Sequence, residues 1–158
     1  MPDTLAQLVD KLQTLLMSNR TIFDDHVCAS AIRQTLQALN QVIPLNAGTT
    51  MDAVTGQYEY ELDDPTAELI VDVLSQGTDA LQELNVSLDF DFYFEDDRPY
   101  FRLHRSQPTG TTLIVRYTKP HTISGLDAET DSTLTHAQEV TLLDGAAYRA
   151  CLQRPATS

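Results

Sequence analysis

The segment VSLDFDFYFE, residues 86–95, alternates apolar and polar side chains without a break. Successive side chains of a strand point to opposite faces, so this pattern predicts a β-strand with one buried face and one solvated face. The turn sequence DDRP follows, and two runs of β-branched and aromatic residues come next, over about residues 100–105 and 111–118. Short connections join antiparallel neighbours, so residues 86–118 are predicted to form a three-stranded meander whose apolar face needs a cover.

Two amphipathic helices at the start of the chain are predicted to supply part of that cover. Apolar residues recur at three- and four-residue spacing over about residues 4–17 and again over about residues 24–41. Asp24 or Asp25 can cap the second helix, because a carboxylate accepts hydrogen bonds from the free N–H groups of a first turn. A short turn joins the two helices, and this connection predicts an αα-hairpin.

The C-terminal segment predicts another helix, over about residues 136–152. Thr135 and Gln138 fit the capping box, in which each side chain bonds the backbone N–H of the other residue. Gly145 to Ala147 form a run of small side chains within this helix. A glycine inside a helix costs about 1 kcal/mol relative to alanine, so we expect a packing reason for it. We predict that this helix crosses the N-terminal pair at these residues.

The middle of the chain contributes a strand and a helix in this interpretation. QYEYEL alternates apolar and acidic side chains and predicts a strand over about residues 57–62. The acidic pair before Pro65 is typical of a helix start, and Gly77 is typical of a helix end, so a helix is predicted over about residues 65–76. The small polar residues 46–56 predict a surface loop.

These elements define an α+β fold, with helices packed on a mainly antiparallel sheet of three to four strands. The helices are the N-terminal hairpin, a middle helix and a C-terminal helix. A chain of 158 residues with 42% hydrophobic residues can bury a single core without disulfides. We therefore expect one domain, over residues 1–158.

Charge limits the partners that such a chain can bind. The net charge is -13, from 23 acidic and 10 basic residues, so the surface repels phosphate and argues against nucleic-acid binding. An acidic surface can still line a channel through which DNA slides without sticking. The sequence MPDTLAQLVDKL fits neither a signal peptide nor a transmembrane helix, and we expect a soluble protein made in a cytoplasm.

The sequence offers little for catalysis. The four histidines are scattered, neither cysteine has a partner at metal-ligand spacing, and no phosphate loop or nucleophile elbow is present. Carboxylates are abundant along residues 89–97, where a hydrolase or a metal site could use them. The stronger interpretation assigns them to a solvated strand face, helix caps and a turn. We predict no catalytic residue, no cofactor and no metal site.

Four stretches together carry a resemblance to a known family. They are AIRQTLQALNQ, GQYEYEL, TLIVRYTKPHTISGLD and TLTHAQEVTLLDGAAYRACLQR. The chain resembles the head-to-tail connector or adaptor proteins of tailed bacteriophages, which lie in the neck of the virion. The pattern of elements covers most of the chain, and its specific part is residues 113–154.

The resemblance implies a structural virion protein without an enzymatic reaction. Such proteins form a homo-oligomeric ring, commonly of twelve copies, beneath the portal protein. The ring docks the next neck or tail component, and DNA passes through it without specific binding; no membrane is involved. Two alternatives stay open. One is another neck or tail component, a stopper or a tail terminator, and the less favoured one is a small enzyme that uses carboxylates or a metal.

Ring contacts join different surfaces of successive copies, and extended connections can reach a neighbour. The candidates are residues 44–57 and 118–135. Within the second, apolar residues stand in an otherwise polar segment, so we expect this segment to touch an adjacent subunit or ring partner. The last residues, from Arg149 onward, are expected to reach into the portal. The predicted interaction residues are His121, Thr122, Ile123, Leu126, Asp127, Arg149 and Arg154.

Overall fold

A computed structural model describes residues 2–16, 23–77 and 85–153. These residues form helices α1 (Leu5–Leu15), α2 (Asp25–Val42) and α3 (His136–Leu152). The strands are β1 Leu45–Asp52, β2 Glu59–Glu61, β3 Leu69–Gln76, β4 Asn85–Ser87, β5 Phe90–Glu95, β6 Arg98–Leu103 and β7 Thr112–Lys119. The helices and two antiparallel sheets confirm the predicted α+β class.

The chain divides into two compact units. One, the helical unit, consists of Met1–Pro44 and His121–Ser158, and the other, the strand unit, consists of Leu45–Pro120. Each unit has its own cluster of buried apolar side chains, so the expectation of a single core is wrong. That the whole chain is one domain stays a prediction, because compactness alone does not show how a unit folds.

Local capping explains where the helices of the helical unit begin. Thr4 with Gln7, and Thr135 with Gln138, form complete capping boxes at the starts of α1 and α3. Asp24 accepts a hydrogen bond from the backbone of the first turn of α2. These side chains satisfy N–H groups that have no partner within the helix, and they confirm the starts that the sequence predicts.

The crossing of α3 on α2 depends on a glycine. A Cβ atom added to Gly145 would lie 2.8 Å from Cγ2 of Thr35, which is closer than real Cβ atoms approach. The next residue, Ala146, is fully buried. The Thr35 hydroxyl is held in place because it donates to the carbonyl of Ala31 at 2.7 Å. The small residues therefore permit the close approach that the sequence predicts for Gly145 to Ala147.

The strand unit consists of two antiparallel sheets, with strand orders β1-β7-β3-β4 and β2-β6-β5. Side chains from both sheets form one buried cluster, so each sheet covers the apolar face of the other. The members of this cluster are Ala53, Tyr60, Leu62, Ala67, Ile70, Val73, Phe101, Leu103, Leu113, Val115 and Tyr117. The predicted cover of the sheet by helices is thus replaced, within this unit, by a second sheet.

The predicted three-stranded meander is wrong in its third strand. The hairpin of β5 and β6 forms as expected, but β7 pairs with β1 and β3 in the other sheet. The predicted strand over residues 86–95 is divided between the two sheets, and the N–H of Leu88 still donates to the carbonyl of Val73 on the β3 side of the division. As a result β4 pairs with β3, while β5 pairs with β6. Sequence alternation continues through this bend and conceals it.

The predicted helix over residues 65–76 is also wrong, because most of the segment is β3. The Asp64 carboxylate accepts hydrogen bonds from the N–H and the hydroxyl of Thr66, two residues further on. This is the geometry of a turn, not of a helix cap. The predicted loop over residues 46–56 is instead largely β1, which has the alternating exposure of a half-buried strand.

A tight turn joins β5 to β6. Asp96 and Asp97 both have positive φ angles, 51° and 62°. Two successive residues in the left-handed region are typical of the turn that best fits the twist of a two-residue hairpin. Such positions favour glycine or asparagine, so this turn carries some backbone strain.

Candidate functional site

The polar connection between β7 and α3 is folded back on itself. The N–H of Thr133 donates to the carbonyl of Thr122 at 3.1 Å, which closes a compact loop over residues 123–132. Within the loop, the N–H of Leu126 bonds the carbonyl of Ile123 at 3.0 Å. Gly125 supplies a φ angle of 92°. The segment is therefore a structured surface loop rather than an extended arm.

Ile123 and Leu126 are buried in the core of the helical unit, with exposed fractions of 0% and 3%. Sequence reasoning assigned both to an interface because they are apolar residues in a polar segment. The structure corrects the basis of that prediction, since both side chains already pack within their own chain. An apolar pair in a polar loop can anchor the loop to its own core as well as to a neighbour.

His121 and Thr122 hold the base of this loop. Nδ1 of His121 lies 3.0 Å from the Thr133 hydroxyl, and its backbone N–H donates to the side chain of Asn40 at 2.7 Å. Nε2 is buried and has no hydrogen-bond partner among the described residues. Burial lowers the pKa of His121, so the neutral ring is favoured near pH 7. The Thr122 hydroxyl donates to the carbonyl of Asp131 at 2.7 Å. Both side chains thus have structural contacts within the loop.

Asp127 is the predicted loop residue that does reach the surface. Its carboxylate accepts three hydrogen bonds from Arg33: Nε lies 3.2 Å from each carboxylate oxygen, and Nη2 lies 2.9 Å from Oδ1. The side chain of Asp127 remains 61% exposed. An ion pair this exposed contributes little to stability, so the carboxylate is available to a partner.

The predicted portal contacts lie at the end of α3. Arg149 is half-buried and donates to the carbonyl of Gly145 at 3.4 Å. Arg154 lies outside the described residues. Of the seven predicted interaction residues, the structure therefore gathers five around one loop, Arg149 is on a helix, and Arg154 has no described position.

The outward side of α3 is a surface that sequence reasoning missed. Val140, Tyr148 and Leu152 are 48%, 66% and 67% exposed. They recur at four- or eight-residue spacing, so they lie on one side of the helix together with Ala137 and Asp144. We call these five residues the α3 outer face. The helix is apolar on two sides, and the sequence alone did not show which side the core would use.

Carboxylates in the strand unit have structural partners. Burial opposes ionisation of Asp64, but hydrogen bonds from Thr66, Tyr117 and Lys119 lower its pKa to about 2. The Tyr117 hydroxyl donates to Asp64 at 3.0 Å, and burial followed by this bond raises the pKa of Tyr117 to about 12. Asp91 lies 3.1 Å from Nε2 of His104 on the exposed sheet face.

The remaining reactive side chains do not converge on a centre. Among the described residues, no three His, Cys, Asp or Glu side chains are placed to hold a metal ion. Cys28 is buried, and burial raises the pKa of its thiol, whereas Cys151 is exposed. None of the described helices is long and apolar enough to cross a bilayer.

Fold and surfaces together define a small α+β protein that exposes apolar side chains on a helix. No protein-family model matches the chain, and no curated protein matches it. The chain is similar to solved chains from gene transfer agent particles. One belongs to the neck of an empty particle computed with C6 symmetry, with 14% identity over 95% of this chain and 80% of that chain and a TM-score of 0.41.

Two further solved chains come from native particles of this kind. A chain from the neck computed with C12 symmetry is 15% identical, over 98% of this chain and 79% of that chain, with a TM-score of 0.37. A chain from the virion of the native gene transfer agent is 15% identical, over 98% of this chain and 80% of that chain, with a TM-score of 0.41.

Proposed function

We propose that this chain is a structural virion protein of a tailed phage, a head-to-tail connector that forms a ring beneath the portal. The proposal starts from the resemblance of residues 113–154 to connector proteins. In the structure this segment comprises β7, the closed loop and the capped helix α3. In this proposal the protein has a structural role and carries out no reaction.

The α3 outer face is the observation that carries the proposal. Its apolar side chains are exposed, although the opposite side of the same helix already packs in the core. Asp144 is the one charged residue of this face. Tyrosine and long aliphatic side chains are common at protein interfaces, where they contribute large contact area. The face continues towards Arg149 and the predicted portal contact, so we assign the portal protein as its partner.

The charge of the chain is compatible with a position around DNA. With a net charge of -13 per chain, a ring of many copies would carry a large negative charge around the channel. Such a charge repels the phosphate backbone and lets DNA slide. Stopper and tail-terminator roles share this property, so the number of copies distinguishes them. Twelve copies favour the adaptor, whereas six favour a stopper or terminator.

Binding to purified portal rings tests the assignment of the α3 outer face. We expect the wild-type protein to co-sediment with portal rings, and the double variant Tyr148→Ser and Leu152→Ser to lose this binding while it keeps its helical circular dichroism. Val42→Ser is the matched control, because Val42 is an exposed apolar residue of α2 outside the named face. Undiminished binding of the double variant would exclude this face as the docking surface.

A further inference from the structure

The edge strand β1 has backbone groups that are free to pair. Within the described chain, β1 pairs with β7 alone and lies at one edge of its sheet. The N–H of Ala53 donates to the carbonyl of Thr111. The backbone groups of successive strand residues point to opposite sides, so this bond shows which residues of β1 face β7. Asn46, Gly48 and Thr50 therefore direct their backbone groups away from β7. No described residue forms a hydrogen bond with these groups.

This edge also lacks the features that usually block pairing with another chain. Edge strands are commonly protected by charged side chains, proline, bulges or short length. β1 is eight residues long, and no charged residue or proline occurs before Asp52 at its end. Its pairing with β7 runs in register without a bulge. A long, flat and uncharged edge is suited to receive another strand.

Gly48 and Arg116 give this edge a side-chain preference. Arg116 lies directly opposite Gly48 in the ladder, and its side chain is 57% exposed. Its Nε donates to Asp72 at 2.9 Å. Because Gly48 has no side chain, an acidic residue on a strand added beside β1 could reach across it to the guanidinium.

A second free edge of the strand unit has the matching charge. Within the described chain, β5 pairs with β6 alone. The N–H of His104 donates to the carbonyl of Asp89, so the backbone groups of Phe90, Phe92 and Phe94 point away from β6. The alternate residues of β5 place their side chains on the outer face of the β2-β6-β5 sheet; they are Asp91, Tyr93 and Glu95.

We propose that β1 of one copy pairs in parallel with β5 of a second copy of this chain. In a parallel pair, a residue whose backbone groups point towards the partner strand lies opposite a residue whose groups point away from it, so Gly48 and Thr50 would lie opposite members of the set Asp91, Tyr93 and Glu95. The phenylalanines of β5 would then continue the apolar face of the β1 sheet. Asp91 and Glu95 would then lie on the same face as Arg116, where opposite charges attract. The inference rests on the proposed ring function and names the contact between neighbouring subunits.

The topology of the strand unit suits a ring. β1 and β4 are the opposite edges of one sheet, and β4 continues through Leu88 into β5. Pairing of β1 with β5 therefore joins two different surfaces of successive copies. Contacts of this heterologous kind close into rings when the rotation between copies permits. Pairing of β1 with a second β1 would instead give a closed dimer.

Disulfide cross-linking between proteins that each carry one introduced cysteine, besides the buried Cys28, tests the proposal. In a Cys151→Ser background, one protein carries Thr50→Cys, and three others carry Asp91→Cys, Tyr93→Cys or Glu95→Cys. The partners differ in mass and are mixed before mild oxidation. We expect a several-fold excess of the mixed disulfide over either symmetric dimer for at least one β5 position. Thr141→Cys, on α3, is the matched control and should give no such excess.

Two added changes should reduce the cross-link without disturbing the ladder inside one copy. Gly48→Pro removes an outward N–H, and Arg116→Gln removes the charge that attracts β5. The inference is overturned if the symmetric Thr50→Cys dimer predominates. It is also overturned if no mixed disulfide forms in mixtures whose native mass spectra show rings. The latter result would leave the proposed function intact, whereas a mixed disulfide in a protein that never forms rings would count against that function.

Discussion

Adding one methyl group at the crossing of α2 and α3 should destabilise the helical unit. In an open helix, Gly145→Ala would stabilise by about 1 kcal/mol through helix propensity. Here the new Cβ would lie 2.8 Å from Cγ2 of Thr35, and overpacking of this kind costs about 1–3 kcal/mol. The nearby Nη1 of Arg149 can move aside, but Thr35 is buried and its hydroxyl is bonded. We expect a net loss of up to about 2 kcal/mol.

A double-mutant cycle with Thr35→Ser isolates the clash. Serine removes Cγ2 and keeps the hydroxyl, whose oxygen lies 3.9 Å from the added Cβ, an ordinary contact. In this background Gly145→Ala should instead stabilise by about 1 kcal/mol. Thermal unfolding followed at 222 nm measures both changes, with about 2–4 °C expected for each kcal/mol. If Gly145→Ala raises the melting temperature equally in both backgrounds, the close crossing is wrong.

Three other changes probe the turn, the carboxylate and the buried loop. Asp97→Gly should raise stability by up to about 1 kcal/mol in urea unfolding, because glycine adopts the positive φ freely; a loss would contradict the strained turn. Asp64 has a folded pKa of about 2, below its unfolded value, so its contribution is present above pH 4 and lost as the pH falls towards 2. Asp64→Asn should flatten the stability profile over that range, and an unchanged profile would refute the stabilising role of the hydrogen bonds that this carboxylate accepts from Thr66 and Tyr117. Ile123→Ser should cost about 2–5 kcal/mol in urea unfolding, unlike Val140→Ser on the surface, and equal small losses would show that Ile123 is not buried.

The features that local sequence determines were predicted well. The capping box of Thr135 and Gln138 needs side chains three residues apart, and the structure contains it. The small residues from Gly145 onward are also a local pattern, and they indicated a close crossing of helices. The hairpin of β5 and β6 followed from strict alternation across a two-residue turn.

The features that depend on distant partners were not predictable in this way. β1 consists largely of small polar residues and becomes a strand because it pairs with β7, which lies sixty or more residues later at every position of the register. Asp64 and Pro65 resemble a helix start, but the Asp64 carboxylate bonds Thr66 and Tyr117 instead. Sequence therefore favoured a helix where the sheet provided partners for a strand.

The candidate site shows the same limit. An apolar residue in a polar loop shows that something covers it, and Ile123 turned out to be covered by its own chain. The exposed side of α3 was hidden because Val140 and Tyr148 stand among other apolar residues of the helix. Only the packing of the opposite side, through Leu142 and Ala146, reveals which residues are left for a partner.

Electron microscopy of purified virions that contain this chain tests the central proposal most directly. The neck should show a ring directly beneath the portal, surrounding the DNA channel, with density that fits the helical and strand units. We expect twelve copies in that ring. A sixfold ring further from the portal would contradict the adaptor assignment in favour of a stopper or tail terminator. Virions whose necks lack this chain would contradict the neck function itself.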